Sequence, residues 1–104
     1  MSFTGNEDHS ITLAEASAWT ANYRETIPAG DTLGNYFGGE AISAILAQTD
    51  CVGMRIYYAI DDNGKKQLVI CGVDASGNDL YTGLLAERSI KNPPFPVSAN
   101  PLNS

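Results

Sequence analysis

The chain is short of positive charge, histidine and cysteine, and each shortage removes a class of function. Six Lys and Arg stand against twelve Asp and Glu, a formal net charge of -6. A field of that sign repels phosphate backbones and anionic headgroups, so neither nucleic acid nor a membrane surface is expected as a partner. His9 is the only histidine, in a polar and acidic opening stretch, with no nucleophile placed against it for a Ser–His–Asp or Cys–His arrangement. Two separated cysteines and one histidine, with no Cys-x-x-Cys pair, do not make a zinc site. Calcium fares no better. Setting Gly64 or Gly77 at the glycine of an EF-hand loop leaves Ala59 or Gly72 at the first ligand position and no glutamate at the last. The glycine-rich stretch 29–39 matches neither Gly-x-Gly-x-x-Gly nor a Gly-Lys-Ser/Thr phosphate loop. No metal, cofactor or catalytic residue is therefore expected, and an enzyme is the least supported class.

Long apolar runs are also missing. Nothing approaches the roughly 20 residues of a membrane span, and the first ten residues lack the basic and apolar regions of a secretory signal. A soluble, cytoplasmic protein is the expectation. With 104 residues and 43% hydrophobic content, the chain suits one domain, 1–104, with a flexible arm at 1–10 and an extended tail at 92–104.

The strongest feature is the stretch 51–73, in which two runs rich in β-branched and aromatic residues flank Asp61-Asp62-Asn63-Gly64. Asn-Gly between such runs predicts a β-hairpin with a tight type I′ turn, strands at about 52–60 and 66–74. That register sets Cys71 opposite Arg55 or Ile56, away from Cys51, so no disulfide is expected between the two. A two-residue turn would place Val52, Met54, Ile56 and Tyr58 on one face with Val69, Cys71 and Val73, the seat for helices. The other face would then carry Gly53, Arg55, Tyr57, Leu68, Ile70 and Gly72, too apolar to stand in water uncovered.

Upstream, Thr12-Leu-Ala-Glu15 fits a capping box, opening a helix to about Glu25 with Leu13, Ala16, Trp19, Ala21 and Tyr23 on a loosely apolar face and Trp19 as a core anchor. A second helix at about Glu40–Gln48 carries Ile42, Ile45 and Leu46 as a buried stripe. Downstream, Asp74-Ala-Ser-Gly-Asn-Asp79 signals another turn, and 80–86 reads as either a third strand or a loop. Asp61, Asp62, Asp74 and Asp79 read as turn residues whose carboxylates bond nearby amides. The prolines after Asn92 forbid regular hydrogen bonding there. The fold class expected is α+β: two N-terminal helices packed on a small antiparallel sheet built around the central hairpin, with a Pro-rich extended tail.

One side-chain constellation stands out. Arg55 with Tyr57 and Tyr58 could clamp an anionic ligand, a ring stacking beside the guanidinium; equally, Arg55 could pair with a surface carboxylate while its stem covers apolar surface.

Asn22-Tyr23-Arg24, Ile45-Leu46-Ala47-Gln48, Cys51-Val52-Gly53, Arg55-Ile56-Tyr57-Tyr58, Leu68 to Asp74 and the Pro-Pro tail ending in Asn100-Pro101-Leu102-Asn103 follow one another in an order that resembles a family. It is one of small uncharacterised bacterial proteins with an Arg-Ile-Tyr-Tyr-Gly strand segment and a Cys-Pro-Pro-x-Cys tail. The resemblance implies architecture and no catalytic residues. Here the tail reads Asn92-Pro93-Pro94-Phe95-Pro96, so any metal or redox role of the tail cysteines in such relatives has no counterpart. The function expected is a non-catalytic interaction module that binds itself, as a homo-oligomer, or another protein through the second sheet face. The alternative is a small anionic-ligand-binding domain using Arg55, Tyr57 and Tyr58.

Overall fold

A computed structural model describes residues 2–104. The elements run α1 (Leu13–Glu25), β1 (Gly34–Tyr36), α2 (Gly39–Leu46), β2 (Cys51–Ile60), β3 (Lys66–Asp74), β4 (Leu85–Ala86) and β5 (Ile90–Asn92). Two compact units can be distinguished: residues up to Glu7 with Tyr36–Ser89, and Asp8–Asn35 with Ile90–Ser104. The fold is α+β, as the pattern implied, and its strands form two small antiparallel sheets rather than one.

The first unit is built on the hairpin. β2 and β3 pair antiparallel from Cys51 opposite Asp74 to Ile60 opposite Lys66, with an irregularity between Cys51 and Gly53, and β4 adds a short third strand on the far side of β3. The turn is not the two-residue type I′ expected. Gly64 N–H donates to Asp61 O at 3.0 Å and Asp61 N–H to Lys65 O at 2.9 Å, with Gly64 at φ +79°. That is a three-residue loop, Asp62-Asn63-Gly64, whose glycine sits in the left-handed region and forms a bulge. The Asp61 carboxylate holds it by accepting from the amides of Asn63 and Lys65, each at 2.9 Å.

One extra loop residue changes the parity of the whole hairpin, because side chains alternate with a period of two. Arg55 stands opposite Cys71 and Tyr57 opposite Val69, while Ile56 faces Ile70 and Tyr58 faces Leu68. The faces assigned from a two-residue turn are thus corrected. Arg55 and Tyr57 share a face with Val69, Cys71 and Val73; Met54, Ile56 and Tyr58 share the other with Leu68, Ile70 and Gly72.

α2 covers part of the second of these faces. Ile45 and Ile70 are each 2% exposed, and a Cβ on Gly72 would come within 2.9 Å of Cys51 Sγ and of Gln48 Nε2, just beyond α2. Ile42 is half-buried, but Leu46 is exposed, so the helix buries a narrower stripe than expected. Gln48 ties the helix end down: its Nε2 donates to Ile45 O and its Oε1 accepts from Leu84 N–H, both at 2.9 Å.

The second turn repeats the first atom for atom. Gly77 N–H donates to Asp74 O and Asp74 N–H to Asn78 O, and Asp74 Oδ1 accepts from Ser76 and Asn78, with Gly77 at φ +86°. Asp-x-x-Gly-x is therefore one loop module used twice. The chain then bridges Val73 at Asp79, makes a turn, and returns to β3 only at Leu85–Ala86. Residues 80–86 are in this way a strand for two residues and a loop before them. The opening stretch touches this loop: Phe3 N–H donates to Ala75 O at 2.7 Å and its ring lies on Gly77.

In the second unit, α1 starts where the capping box said it would: Thr12 Oγ1 accepts from Glu15 N–H at 3.1 Å. Both helices were expected on the hairpin; α2 is there, whereas α1 belongs to this unit. It buries none of its residues, and Trp19 is 58% exposed rather than a core anchor. The loose apolar face did not supply a continuous stripe to bury. β1 and β5 pair as a second small sheet that the glycine-rich and proline-flanked sequence concealed. The tail is bonded rather than loose: Arg24 Nη1 donates to Leu102 O at 2.9 Å, and Asn103 and Ser104 N–H both turn back to Asn100 O.

The repeated loop makes a prediction. An alanine forced to positive φ costs about 1–2 kcal/mol, so Gly64→Ala should lower stability to urea by about that much. Gly77→Ala should lose more, because its Cβ also meets the Phe3 ring at 3.2 Å. In a Phe3→Ala background the two losses should converge; equal losses in the parent would contradict the docking of Phe3.

Candidate functional site

Two regions of the hairpin carry side chains that could act on something else. The first is the face of Arg55 and Tyr57. Because the Asp74 loop folds the chain back after β3, Asp79 arrives beside Val73 on this same face. Arg55 Nη1 reaches across β3 to pair with Asp79 Oδ1 and also donates to Gly77 O at 3.1 Å. Tyr57 Oη donates to Asp79 Oδ2. Each carboxylate oxygen thus has its own donor. The arginine is 36% exposed and the aspartate 22%, and Cys71 lies among them, 3% exposed.

The electrostatics follow from this geometry. The tyrosine hydroxyl, followed by the arginine, holds the Asp79 carboxyl below its usual range. Asp79 in turn pushes Tyr57 up, since losing the phenolic proton would set two negative charges together. Arg55 is raised by the same partner. Burial first, and Asp79 second, push the Cys71 thiol up. A carboxylate so fully engaged is a poor base, and a buried thiol held protonated is a poor nucleophile.

The constellation read from sequence is therefore divided. Arg55 and Tyr57 converge, but on Asp79 rather than on an open space. Tyr58 points to the opposite face and is 92% exposed. Of the two readings of Arg55, pairing with a surface carboxylate is the one observed. Asp79 is the residue that sequence reasoning missed: of the turn aspartates, Asp61 and Asp74 do bond loop amides, whereas Asp79 lies one residue past its loop and closes a clasp. The repeat of Asp-x-x-Gly-x would have revealed this, since it leaves Asp79 outside the second module.

The second region is the outer side of β2, an edge strand paired on one side only. Asp61 N–H bonds to Lys65 O, just ahead of β3, so by alternation the odd-numbered residues of β2 turn their backbone groups inward and Met54, Ile56, Tyr58 and Ile60 turn theirs outward. Those four residues are 36%, 50%, 92% and 73% exposed, the two nearer the hairpin turn more than the two before them. An apolar row beside unpaired backbone donors and acceptors is the geometry that accepts another strand. From Cys51 to Ile60 it carries no proline or lysine that would blunt it, and Arg55 is its one charge.

Elsewhere, a hollow of about 370 Å³ in the second unit is lined by Arg24, Ile27, Pro28, Leu33 and Pro93, with Arg24 already held by Leu102 O. Among the described residues no group of three or more His, Cys, Asp and Glu could hold a metal ion, and no helix is long and apolar enough to cross a membrane. Both cysteines are free. No protein-family model matches the chain, and neither a curated protein nor a solved structure matches it.

The clasp has a pH signature at each end. Asp79 is lowered on folding, so its contribution is present above the ordinary carboxylate range near 4 and is lost as pH falls through the folded value. Tyr57 is raised, so its contribution is present below about 10 and is lost as pH rises through the folded value. Absorbance titration of phenolate should therefore show one tyrosine ionising late, and Tyr57→Phe should remove that component. Asp79→Asn should bring it back toward the ordinary range and flatten the acid limb of stability against pH. A late component that survives Tyr57→Phe would contradict the assignment.

Proposed function

We propose that the protein is a non-catalytic interaction module that binds an extended segment of polypeptide along the open edge of β2. The observation that carries this reading is the row Met54, Ile56, Tyr58 and Ile60, exposed beside a strand edge with unpaired backbone groups. Backbone hydrogen bonds would give affinity, and apolar side chains at alternate positions would give selectivity. The face first considered for this role, with Leu68 and Ile70, is partly closed: Ile70 is buried and Leu68 is half-buried. Anion binding by Arg55 loses its support, because the guanidinium is already engaged by Asp79 and Gly77 O. An intracellular setting, the bacterial cytoplasm, accords with two cysteines that stay unpaired.

The test is selection of displayed random peptides on the purified full chain, then measured affinity for Tyr58→Pro. Proline at 58 removes an outward N–H without touching the β3 ladder, a substitution edge strands tolerate. Selected peptides should show apolar residues at alternate positions and lose at least tenfold in affinity for the variant. Peptides that bind the variant as tightly as the parent would refute the edge as the site.

A further inference from the structure

We propose that Asn63 is a site of covalent self-modification: in the folded chain its carboxamide is lost to the backbone nitrogen of Gly64 through a cyclic imide, and the Asp61 carboxylate sets the rate.

The chemistry is local to the hairpin loop. The Gly64 nitrogen gives its proton to hydroxide or water and attacks Asn63 Cγ. The Cγ–Nδ2 bond breaks, and ammonia leaves with a proton from solvent. Water then opens the five-membered imide. Attack at Cγ leaves aspartate, attack at the main-chain carbonyl carbon leaves isoaspartate, and nothing is oxidised or reduced on either route. The reaction needs an unobstructed nitrogen beside a carboxamide in water. Asn63 is exposed, and nothing lies within 4 Å of where a Cβ on Gly64 would stand. Asn63 is also the one asparagine of the chain that precedes glycine, whereas Asn92 and Asn100 precede proline, whose nitrogen carries no proton to give up.

Against this stands the hold of Asp61. Gly64 N–H donates to Asp61 O at 3.0 Å, so the proton to be lost is engaged. Asp61 Oδ1 accepts from the amides of Asn63 and Lys65, each at 2.9 Å, and Asp61 Oδ2 from Gln67 Nε2 at 2.8 Å. Closing the imide ring requires rotation about the Asn63 Cα–C bond, which carries the Gly64 nitrogen off Asp61 O. The reaction therefore proceeds from an opened loop, and its rate follows the population of that opening. The charges of Asp61 and Asp62 are a second brake, because a nitrogen that loses its proton becomes negative beside them.

The two products leave different loops. Aspartate at 63 keeps the backbone count. Isoaspartate routes the main chain through Cγ and adds one carbon to the loop whose length sets the faces of β2 and β3. The amides of Gly64 and Lys65 are then displaced from Asp61, and the strand ends at Ile60 and Lys66 lose their anchor. Conversion is an irreversible mark on the hairpin. The second loop has the same bonds around Asp74 but carries Ser76 where the first carries Asn63, and a hydroxymethyl group has no carbonyl to attack.

The experiment follows the full chain over weeks at neutral pH by peptide mass spectrometry, with enzymatic methylation of isoaspartate to separate the two products and the chain in urea as the unrestrained reference. Asn63 should convert in native buffer, more slowly than in urea and faster as pH rises. Asp61→Ala should react about tenfold faster than the parent, as loss of hydrogen bonds to a charged group implies. Asp62→Ala, which removes a charge but none of these bonds, should gain less. Ser76→Asn in an Asn63→Ser chain keeps the test independent of whether Asp61→Ala folds: it should move the reaction to position 76, and a further Phe3→Ala should speed it, because Phe3 N–H is bonded to Ala75 O in that loop. A native chain that keeps Asn63 intact while the urea reference converts would overturn the site. A native rate equal to that in urea, or Asp61→Ala no faster than Asp62→Ala, would overturn control by Asp61. A reaction at position 76 indifferent to Phe3→Ala would overturn loop opening as the step that sets the rate.

Discussion

The carboxylate of Asp61, accepting from the amides of Asn63 and Lys65, decides more of this structure than any core contact does. By stabilising a three-residue loop in which Gly64 takes positive φ, it adds one residue to the count between the strands. The parity of that count assigns every side chain of β2 and β3 to its face. With it, Ile70 goes in under α2 and Arg55 comes out opposite Cys71. A two-residue turn would have exchanged the two faces, burying what is now displayed.

The same loop chemistry then works a second time, at Asp74, and its consequence is electrostatic rather than topological. The second loop turns the chain so that Asp79 lies within reach of strand β2, across the width of β3. Arg55 and Tyr57 close on it from the far strand, so one carboxylate ties β2 to the segment that follows the second loop. The clasp leaves no oxygen of Asp79 free for chemistry and no guanidinium free for a ligand. It fixes β2 against β3 on one face while α2 does so on part of the other. The edge itself is what remains open.

Much of this was legible from residues alone. The hairpin, its strand limits within a residue, the Thr12 cap, the α+β class and the absence of a Cys51–Cys71 bridge all rest on local signals. Asn-Gly, Thr-x-x-Glu and β-branched runs act within a few residues of themselves. What escaped was set by a count or by distance. Loop length could not be read from Asn63-Gly64, which serves two- and three-residue loops alike, and the preceding Asp61 was the discriminating residue. β1 and β5 have three residues each and pair across more than fifty positions of chain. No periodicity can show in so short a run. Trp19 was assigned to a core on residue type, but α1 lacks the flanking apolar positions that would have made one. In the candidate site, Arg55 and Tyr57 were legible as a pair. Tyr58 was joined to them only by adjacency, which on a strand means the opposite face.

An open edge with an apolar row is a hazard that sheet proteins ordinarily suppress with lysine, proline or a central bulge. Here the irregularity within β2 lies near Val52, at the end beside Gly5, and the exposed half from Ile56 to Ile60 has none of these devices. Indiscriminate pairing is opposed instead by charge at a distance, the net of -6, and by the aspartates that bracket the strand at 50, 61 and 62. Such a field discourages acidic partners. Arg55, the one charge within the strand, is turned back across β3 to Asp79 and Gly77 O, so it offers no cation to the open edge. By fixing β2 against β3 before any partner arrives, the clasp lowers the ordering cost of adding a strand. The clasp and the edge, which act on opposite sides of one strand, are in this way two parts of a single device.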